Sequence, residues 1–197
     1  MTGPHVRVTR EKATETRERI LDAASGLFRA KGFGGIGVAD IMKAADLTHG
    51  GFYGHFASKD DLVAEASRRS MARAATNWAR IVADAPDKPY AALLAHYLSP
   101  SHRDEPGKGC AFAALATDAG RSGSAVRKAF AEGLQPLLDI LANALPGFSK
   151  ASRRRKAVAA MAALVGALAL ARAVDDEALS NEILEAVRHE LRDASYR

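Results

Sequence analysis

The stretch Val38–Leu62, VADIMKAADLTHGGFYGHFASKDDL, decides the fold. Val38, Ile41, Met42 and Ala45 fall at i, i+3, i+4 and i+7, which makes one apolar face of a short helix. Asp46-Leu47-Thr48 interrupts that pattern, and the Thr48 hydroxyl can accept from the orphan N–H groups of a following first turn. A second short helix is predicted from His49 to about Phe56, with polar residues and glycine where a buried helix would carry leucine. Ser58 caps a third helix, with Asp60 and Asp61 in its first turn, where carboxylates suit the helix dipole. Two short helices about a tight turn, the second one polar, have the form of a helix-turn-helix whose second helix enters the major groove of double-stranded DNA.

The side chains fit that placement. Thr48, Tyr53, His55 and Lys59 offer hydroxyl, imidazole or ammonium donors to phosphate oxygens, contacts that fix register but read no sequence. His49, Gly50 and Gly51 lie at the N-terminal end of the second helix, the part that reaches base edges. Each glycine there costs about 1 kcal/mol of helix propensity relative to alanine, a cost that makes sense where backbone must approach DNA closely. Taken singly, Tyr53 reads as half-buried packing and His55 as a satisfied interior histidine; taken together at this spacing, the set points to DNA.

GGFYGHFASKDDLV, preceded by FRAKGFGGIGVADIMKAADLT, resembles the N-terminal signature of the TetR family of transcriptional regulators. The match covers about the first third of the chain. The resemblance implies that Thr48, Tyr53, His55 and Lys59 bind the DNA backbone and that His49, Gly50 and Gly51 face the bases. Three positions depart from the family pattern: Gly37 where Ser or Thr usually caps the first motif helix, Asp46 where glycine usually takes the left-handed turn, and Gly51 where a small branched or hydroxyl residue is common.

The chain has 197 residues, a formal net charge of +5 and a sequence pI near 9.5, which favours a polyanionic partner. Arg7, Arg10 and Lys12 precede the first predicted helix, as an arm that tracks phosphates or as a solvated terminus. A single cysteine, Cys110, excludes an internal disulfide and fits a reducing cytosol. No apolar segment follows Met1, so a cytoplasmic protein is expected. The uncharged run Ala157–Ala171 falls short of a membrane span and is expected as a buried helix. No phosphate-binding glycine loop and no metal-ligand spacing among the six histidines appears, so no cofactor or metal is expected.

The expected architecture is all-α: an N-terminal three-helix DNA-binding unit over residues 1–57, then a helical effector-binding and dimerisation domain over 58–197. A first helix spans about Glu15–Ala30 and stops at Gly32; a long helix runs from Ser58 toward Ala85. Short helices follow at Tyr90–Leu98 and Cys110–Ala119, separated by a polar loop, Ser99–Gly109. Ser124 caps a helix that Pro136 should bend and Pro146-Gly147 should stop. Ser149 or Ser152 caps the alanine-rich helix to about Val174, and a last helix, Glu177–Arg192, repeats Leu179, Ile183, Val187 and Leu191 every four residues. The alanine-rich helix is apolar on nearly every side, so part of it should meet a second copy of the chain; a homodimer also suits a palindromic operator, and the resemblance implies an interface built from the last two helices.

Trp78, Tyr97, Phe112, Leu115, Phe130 and Leu134, with Cys110, form the candidate pocket for a small hydrophobic or aromatic effector, although each apolar member taken alone reads as core. Cys110 follows Gly109 at a helix start with Lys108 nearby, a setting for a reactive thiol; a buried small hydrophobe is the commoner fate of a free cysteine. GKGCAFAALATDAG resembles a segment of TetR regulators that include sensors of electrophiles. The leading expectation is a ligand-responsive repressor rather than an enzyme. The alternative is a small helical enzyme with Cys110 as nucleophile and His96 or His102 as base.

Overall fold

A computed structural model describes residues 4–145 and 149–194. No strand occurs among them. α1 (Pro4–Lys31), α2 (Val38–Ala44) and a 3-10 segment (His49–Gly54) make a first unit. α3 (Lys59–Asp84) leaves it and enters a second body of α4 (Pro89–Tyr97), α5 (Pro100–Asp104), α6 (Ala111–Gly120), α7 (Ser124–Ala144), α8 (Lys150–Ala173) and α9 (Glu177–Ala194). The expected all-helical architecture is the one observed.

In the first unit Ile20, Ala24 and Phe28 of α1 share a core with Ile41, Met42, Phe52, Phe56 and Leu62, all of them at most 2% exposed. Burial of each large member contributes about 1.5–3 kcal/mol relative to exposure. Gly32 ends α1 at φ 75°, donating its N–H to the Phe28 carbonyl. Asp46 makes the turn after α2 at φ 56°, the left-handed region that Asp tolerates better than most residues. Its neighbour Ala45 offers a carbonyl to the Arg19 guanidinium, which closes the end of α2. Ser58 caps α3 by accepting from the Asp61 N–H at 3.1 Å, worth about 1 kcal/mol.

The sequence-based element bounds shift in several places. α1 begins at Pro4, well before Glu15, so Arg10 and Lys12 lie within the helix rather than on a free arm; the side chain of Arg7 lies outside the described residues. The second motif helix is a 3-10 turn that ends at Gly54, and Thr48 makes no side-chain cap to it. With two glycines in its first turn, the segment lacks the propensity to propagate as an α-helix. Inside the polar loop, Ser99 accepts from the His102 N–H and Pro100 opens the short helix α5. α7 is capped at Gly123, with Ser124 as its first residue, and runs through Pro136 without a break. The Pro146-Gly147 stop lies outside the described residues. Of the two candidate serines, Ser149 caps α8.

α3 is the central strut, packed on α1, α4 and most extensively on α7. At the α3–α7 crossing a Cβ on Gly133 would stand 2.4 Å from Met71 Sδ, so only glycine allows this approach. α1 and α3 are also tied by ion pairs: Arg69 to Asp22 at 2.6 Å and to Glu18, Arg73 to Asp22 at 2.6 Å. α8 buries Ala157, Ala160, Leu164, Ala167, Leu168 and Ala171 against its neighbours. Its other face leaves Val158 and Leu170 48% and 58% exposed. By length and composition α8 is able to cross a membrane, which corrects the expectation drawn from its uncharged run alone; here it packs on α6, α7 and α9. The four-residue stripe of α9 is not its inward face. Leu184 and Ser180 are buried, whereas Leu179 is exposed and Ile183, Val187 and Leu191 are half-buried along the flank.

Candidate nucleic-acid interface and effector cavity

The 3-10 segment projects a small open surface. Thr48, His49, Gly50, Gly51 and Tyr53 are exposed together, and Tyr53, at 71%, is the most exposed large apolar side chain among the described residues. The Tyr53 ring is not packing filler. It stands edge-on to Phe52, centroids 5.1 Å apart, and Phe52 is the residue that is fully buried. A Cβ at Gly50 would meet nothing within 4 Å, so no contact inside the chain requires glycine there. His55 is half-buried, and Arg17 lies over the adjacent Phe56 ring. Lys59 turns toward the α1–α2 loop, where its ammonium donates to the Phe33 carbonyl at 2.6 Å. An ammonium carries three donors, so this bond alone leaves Lys59 others to offer.

A cavity of about 470 Å³ opens between α1, α3, α4, α7 and the segment that carries α5. Of the residues expected to line a pocket, Trp78, Tyr97 and Cys110 do so. Phe112, Leu115 and Phe130 are instead core: Phe112 and Phe130 meet edge-on at 5.3 Å, and Leu115 is 1% exposed. Leu134 packs half-buried against that core. The wall also contains Arg29, Ser70, Arg73, Asn77 and His102. Ser70, Arg73, Ala74, Asn77 and Trp78 stand at i, i+3, i+4, i+7 and i+8 of α3, a half-polar helix stripe that was visible in the sequence. Arg29 carried no such local signal.

Histidine 102 organises the floor. The Cys110 N–H donates to its Nε2 at 2.9 Å, so Nε2 is unprotonated, and Nδ1–H donates to the Tyr97 carbonyl at 2.7 Å. Burial, aided by Arg172 and His96 and opposed by the Tyr97 carbonyl, pushes its pKa down to about 4. Both ring nitrogens are therefore held by backbone, and His102 is not placed to take a proton from the Cys110 thiol. His96 has its Nε2 3.2 Å from Asn77 Nδ2. Tyr97 is 1% exposed, and its ring stands edge-on to His102 at 4.7 Å and to Trp78 at 5.8 Å. Burial, with the neighbouring Cys110, raises the Tyr97 hydroxyl well above its ordinary pKa. That hydroxyl has no oxygen or nitrogen partner among the described residues, and its polar neighbour is the Cys110 thiol.

Two contacts join this region to the first unit. Arg29, from α1, donates to the Gly107 carbonyl through Nε (3.0 Å) and Nη2 (2.5 Å), and through Nη1 to Ser25 and Ser70. Asp118, from α6, accepts from the Phe33 N–H at 2.9 Å.

A helix-turn-helix unit with an exposed polar recognition turn, carried on a larger helical body with an internal cavity, defines a DNA-binding transcriptional regulator. Residues 20–66 match the profile of the bacterial regulatory proteins of the tetR family, and residues 89–189 match the C-terminal domain of LmrA/YxaF-like transcriptional regulators. The chain belongs to the TetR family. AcrR of Shigella flexneri is 44% identical over 59 residues, 30% of this chain and 27% of that protein. TtgR of Pseudomonas putida is 43% identical over 58 residues, 29% and 28% of the two chains. The chain thus spans under a third of the length of the curated relatives it matches. Likeness of fold extends further. The reduced form of Escherichia coli NemR superposes with a TM-score of 0.77 at 23% identity over 91% of this chain and 96% of that one. A TetR-family regulator from Cytophaga hutchinsonii does so with a TM-score of 0.75 at 22% identity, over 92% and 96%.

Proposed function

We propose that this regulator is a homodimeric repressor, released from a palindromic operator by a small hydrophobic or electrophilic effector. Residues 1–57 are the DNA-binding domain and 58–197 bind effector and partner subunit. Thr48, Tyr53, His55 and Lys59 hold phosphates; His49, Gly50 and Gly51 face the bases. One observation carries the reading: the cavity wall is built in part from α1 and α3, and α1 packs on α2, the helix that holds the recognition turn. A ligand that prefers one arrangement of those helices shifts the population of DNA-competent dimers, and only through that preference.

Support for the dimer comes from the uncovered apolar face of α8 and the flank of α9. Val158, Leu170 and Leu179 are exposed there, and a Cβ at Gly166 would meet open space, which leaves room for close helix approach. The electrophile arm rests on Cys110, 7% exposed in the cavity wall. Its sulfur would add to the electron-poor carbon of an activated double bond: the S–C bond forms, the C=C π bond opens, solvent takes the thiol proton, and solvent returns a proton to the adjoining carbon. For the alternative, an enzyme with Cys110 as nucleophile, His102 is not placed as the base, because it faces the Cys110 N–H rather than its sulfur, which leaves His96 of the two candidates.

The test is to select the DNA that the protein binds and titrate apolar ligands and electrophiles against the complex, with wild type and Cys110→Ser. Release by reversible ligands in both proteins supports the repressor with a non-covalent effector. Release by electrophiles only when Cys110 is present replaces that effector with a covalent one. No change with either class overturns ligand responsiveness.

A further inference from the structure

We infer that the effector is a small organic acid, its apolar body against Trp78 and Tyr97 and its carboxylate on Arg29. This rests on the ligand-responsive reading above and narrows it.

Unmatched positive charge around the cavity is the ground for it. Arg29 is half-buried, and its bonds go to the Gly107 carbonyl and the Ser25 and Ser70 hydroxyls, all neutral oxygens. Arg172 stands directly behind the wall: a Cβ on the lining residue Gly109 would lie 2.8 Å from its Nη2. Its Nε and Nη2 donate to the Arg103 and His102 carbonyls, again neutral, while its buried Nη1 has no partner among the described residues. The other cations at the wall already have carboxylates: Arg73 pairs with Asp22, and Lys108 with Glu105 at 2.8 Å. Glu105 is the one carboxylate in the wall. Asp104 stands near Arg172, whereas no carboxylate pairs with Arg29, which faces the cavity with neutral oxygens alone, an arrangement that is costly to bury. The Tyr97 hydroxyl, buried with only the Cys110 thiol as polar neighbour, adds a neutral donor on the same wall.

A carboxylate satisfies this set where a neutral ligand does not. Arg29 offers the planar fork that binds carboxylate best, and a charge-assisted bond is about twice as strong as a neutral one. In the same wall the Trp78 and Tyr97 rings and Leu137 supply apolar surface for a ring or short hydrocarbon body. The same bond gives the acid its leverage. A carboxylate on Arg29 competes with the Gly107 carbonyl, and Arg29 belongs to α1, so the contact that holds the DNA-binding unit to the cavity loop is the one the ligand replaces.

The experiment compares benzoate, phenylacetate and 1-naphthoate with the amides of the same shape, on the full-length protein. Binding is read from the fluorescence of Trp78, the single tryptophan, and from the melting temperature. At least one acid should bind about tenfold tighter than its amide, the preference a charge-assisted bond supplies. Arg29→Gln should abolish the preference. Because Arg29 also ties three elements together, Tyr97→Phe is the second variant: it removes a hydroxyl whose only polar neighbour is the weakly bonding Cys110 thiol, so stability should nearly hold while the affinity of the acid falls. Equal binding of acids and amides overturns the proposal, as does the absence of any response to acids at about ten times a millimolar dissociation constant. DNA affinity is measured alongside. Neutral ligands that release DNA where acids do not would sink the organic acid and leave the ligand-responsive reading standing. An acid that binds with the expected preference but leaves DNA affinity unchanged would sink the reading and leave the anion site.

Discussion

Acid should destabilise this protein through His102 before most carboxylates protonate. Its Nε2 accepts from the Cys110 N–H at 2.9 Å, so a proton placed there would set two donors against each other in a buried site. The folded-state pKa is pushed down to about 4 from an ordinary 6.5. The proton therefore binds the unfolded chain more readily than the folded one. Stability from this group is fully present above about pH 6.5, falls as pH drops toward about 4, and falls no further below that. At roughly 1.4 kcal/mol per unit, the loss across this window is about 3 kcal/mol, a large share of the stability of an ordinary domain. Asp22 also loses a stabilising ionisation in acid, since Arg69 and Arg73 outweigh the upward push of burial and hold its pKa down, so the wild-type curve alone is not diagnostic. The perturbation is His102→Gln, whose amide can accept from Cys110 and donate to Tyr97 but does not titrate. Urea unfolding at fixed protein concentration, repeated from neutral pH to about pH 4, gives the two stability curves. The variant should start lower and descend less steeply through the window. Parallel curves would refute the assigned tautomer and the burial argument together.

Three further outcomes follow from the geometry. His49→Ala should change the preference among operator variants, whereas Tyr53→Phe and Lys59→Ala should weaken all sequences alike; Lys59→Ala should also reduce the salt slope by about one unit, and titrations at several salt concentrations decide between the patterns. Because Lys59 also bonds the Phe33 carbonyl, its variant should lose about 1 kcal/mol of stability as well, measurable by urea unfolding. Gly50→Ala should leave stability unchanged or raise it by up to about 1 kcal/mol, since the new methyl meets nothing in the chain, yet DNA affinity should fall if glycine is there for close approach; an unchanged DNA affinity would contradict that role. Gly166→Glu should place an unpaired charge in the interface between subunits, and analytical ultracentrifugation should show the wild-type dimer giving way to monomer. Wild-type monomers that bind a palindrome tightly would refute the dimer.

The helix-turn-helix was legible because its determinants are local. Apolar spacing in Val38–Ala45, the left-handed Asp46 and the Ser58 cap each act within a few residues, and each does in the structure what its chemistry predicts. Where the reading went astray locally, one term was misweighted: two glycines outweighed the expectation of an α-helix after Thr48, and Pro100 with a Ser99 cap made a helix inside a loop. The cavity was legible only in part, for a different reason. Trp78, Tyr97 and Cys110 stand out in the sequence as large or reactive residues of a helical body, and Phe112, Leu115 and Phe130 satisfy the same criterion equally well. Hydrophobicity alone cannot tell a wall from a core, because both are made of the same side chains. What separates them here is polar chemistry brought together by tertiary packing: Arg29 from α1, Ser70 and Asn77 from α3, and His102 from α5. Arg29 and Gly107 are 78 residues apart in sequence, so no window of sequence contains the contact that joins the DNA-binding unit to the cavity. The charged residue that a helix-by-helix reading passes over as a solvated surface position is one of those on which the two halves of the molecule meet.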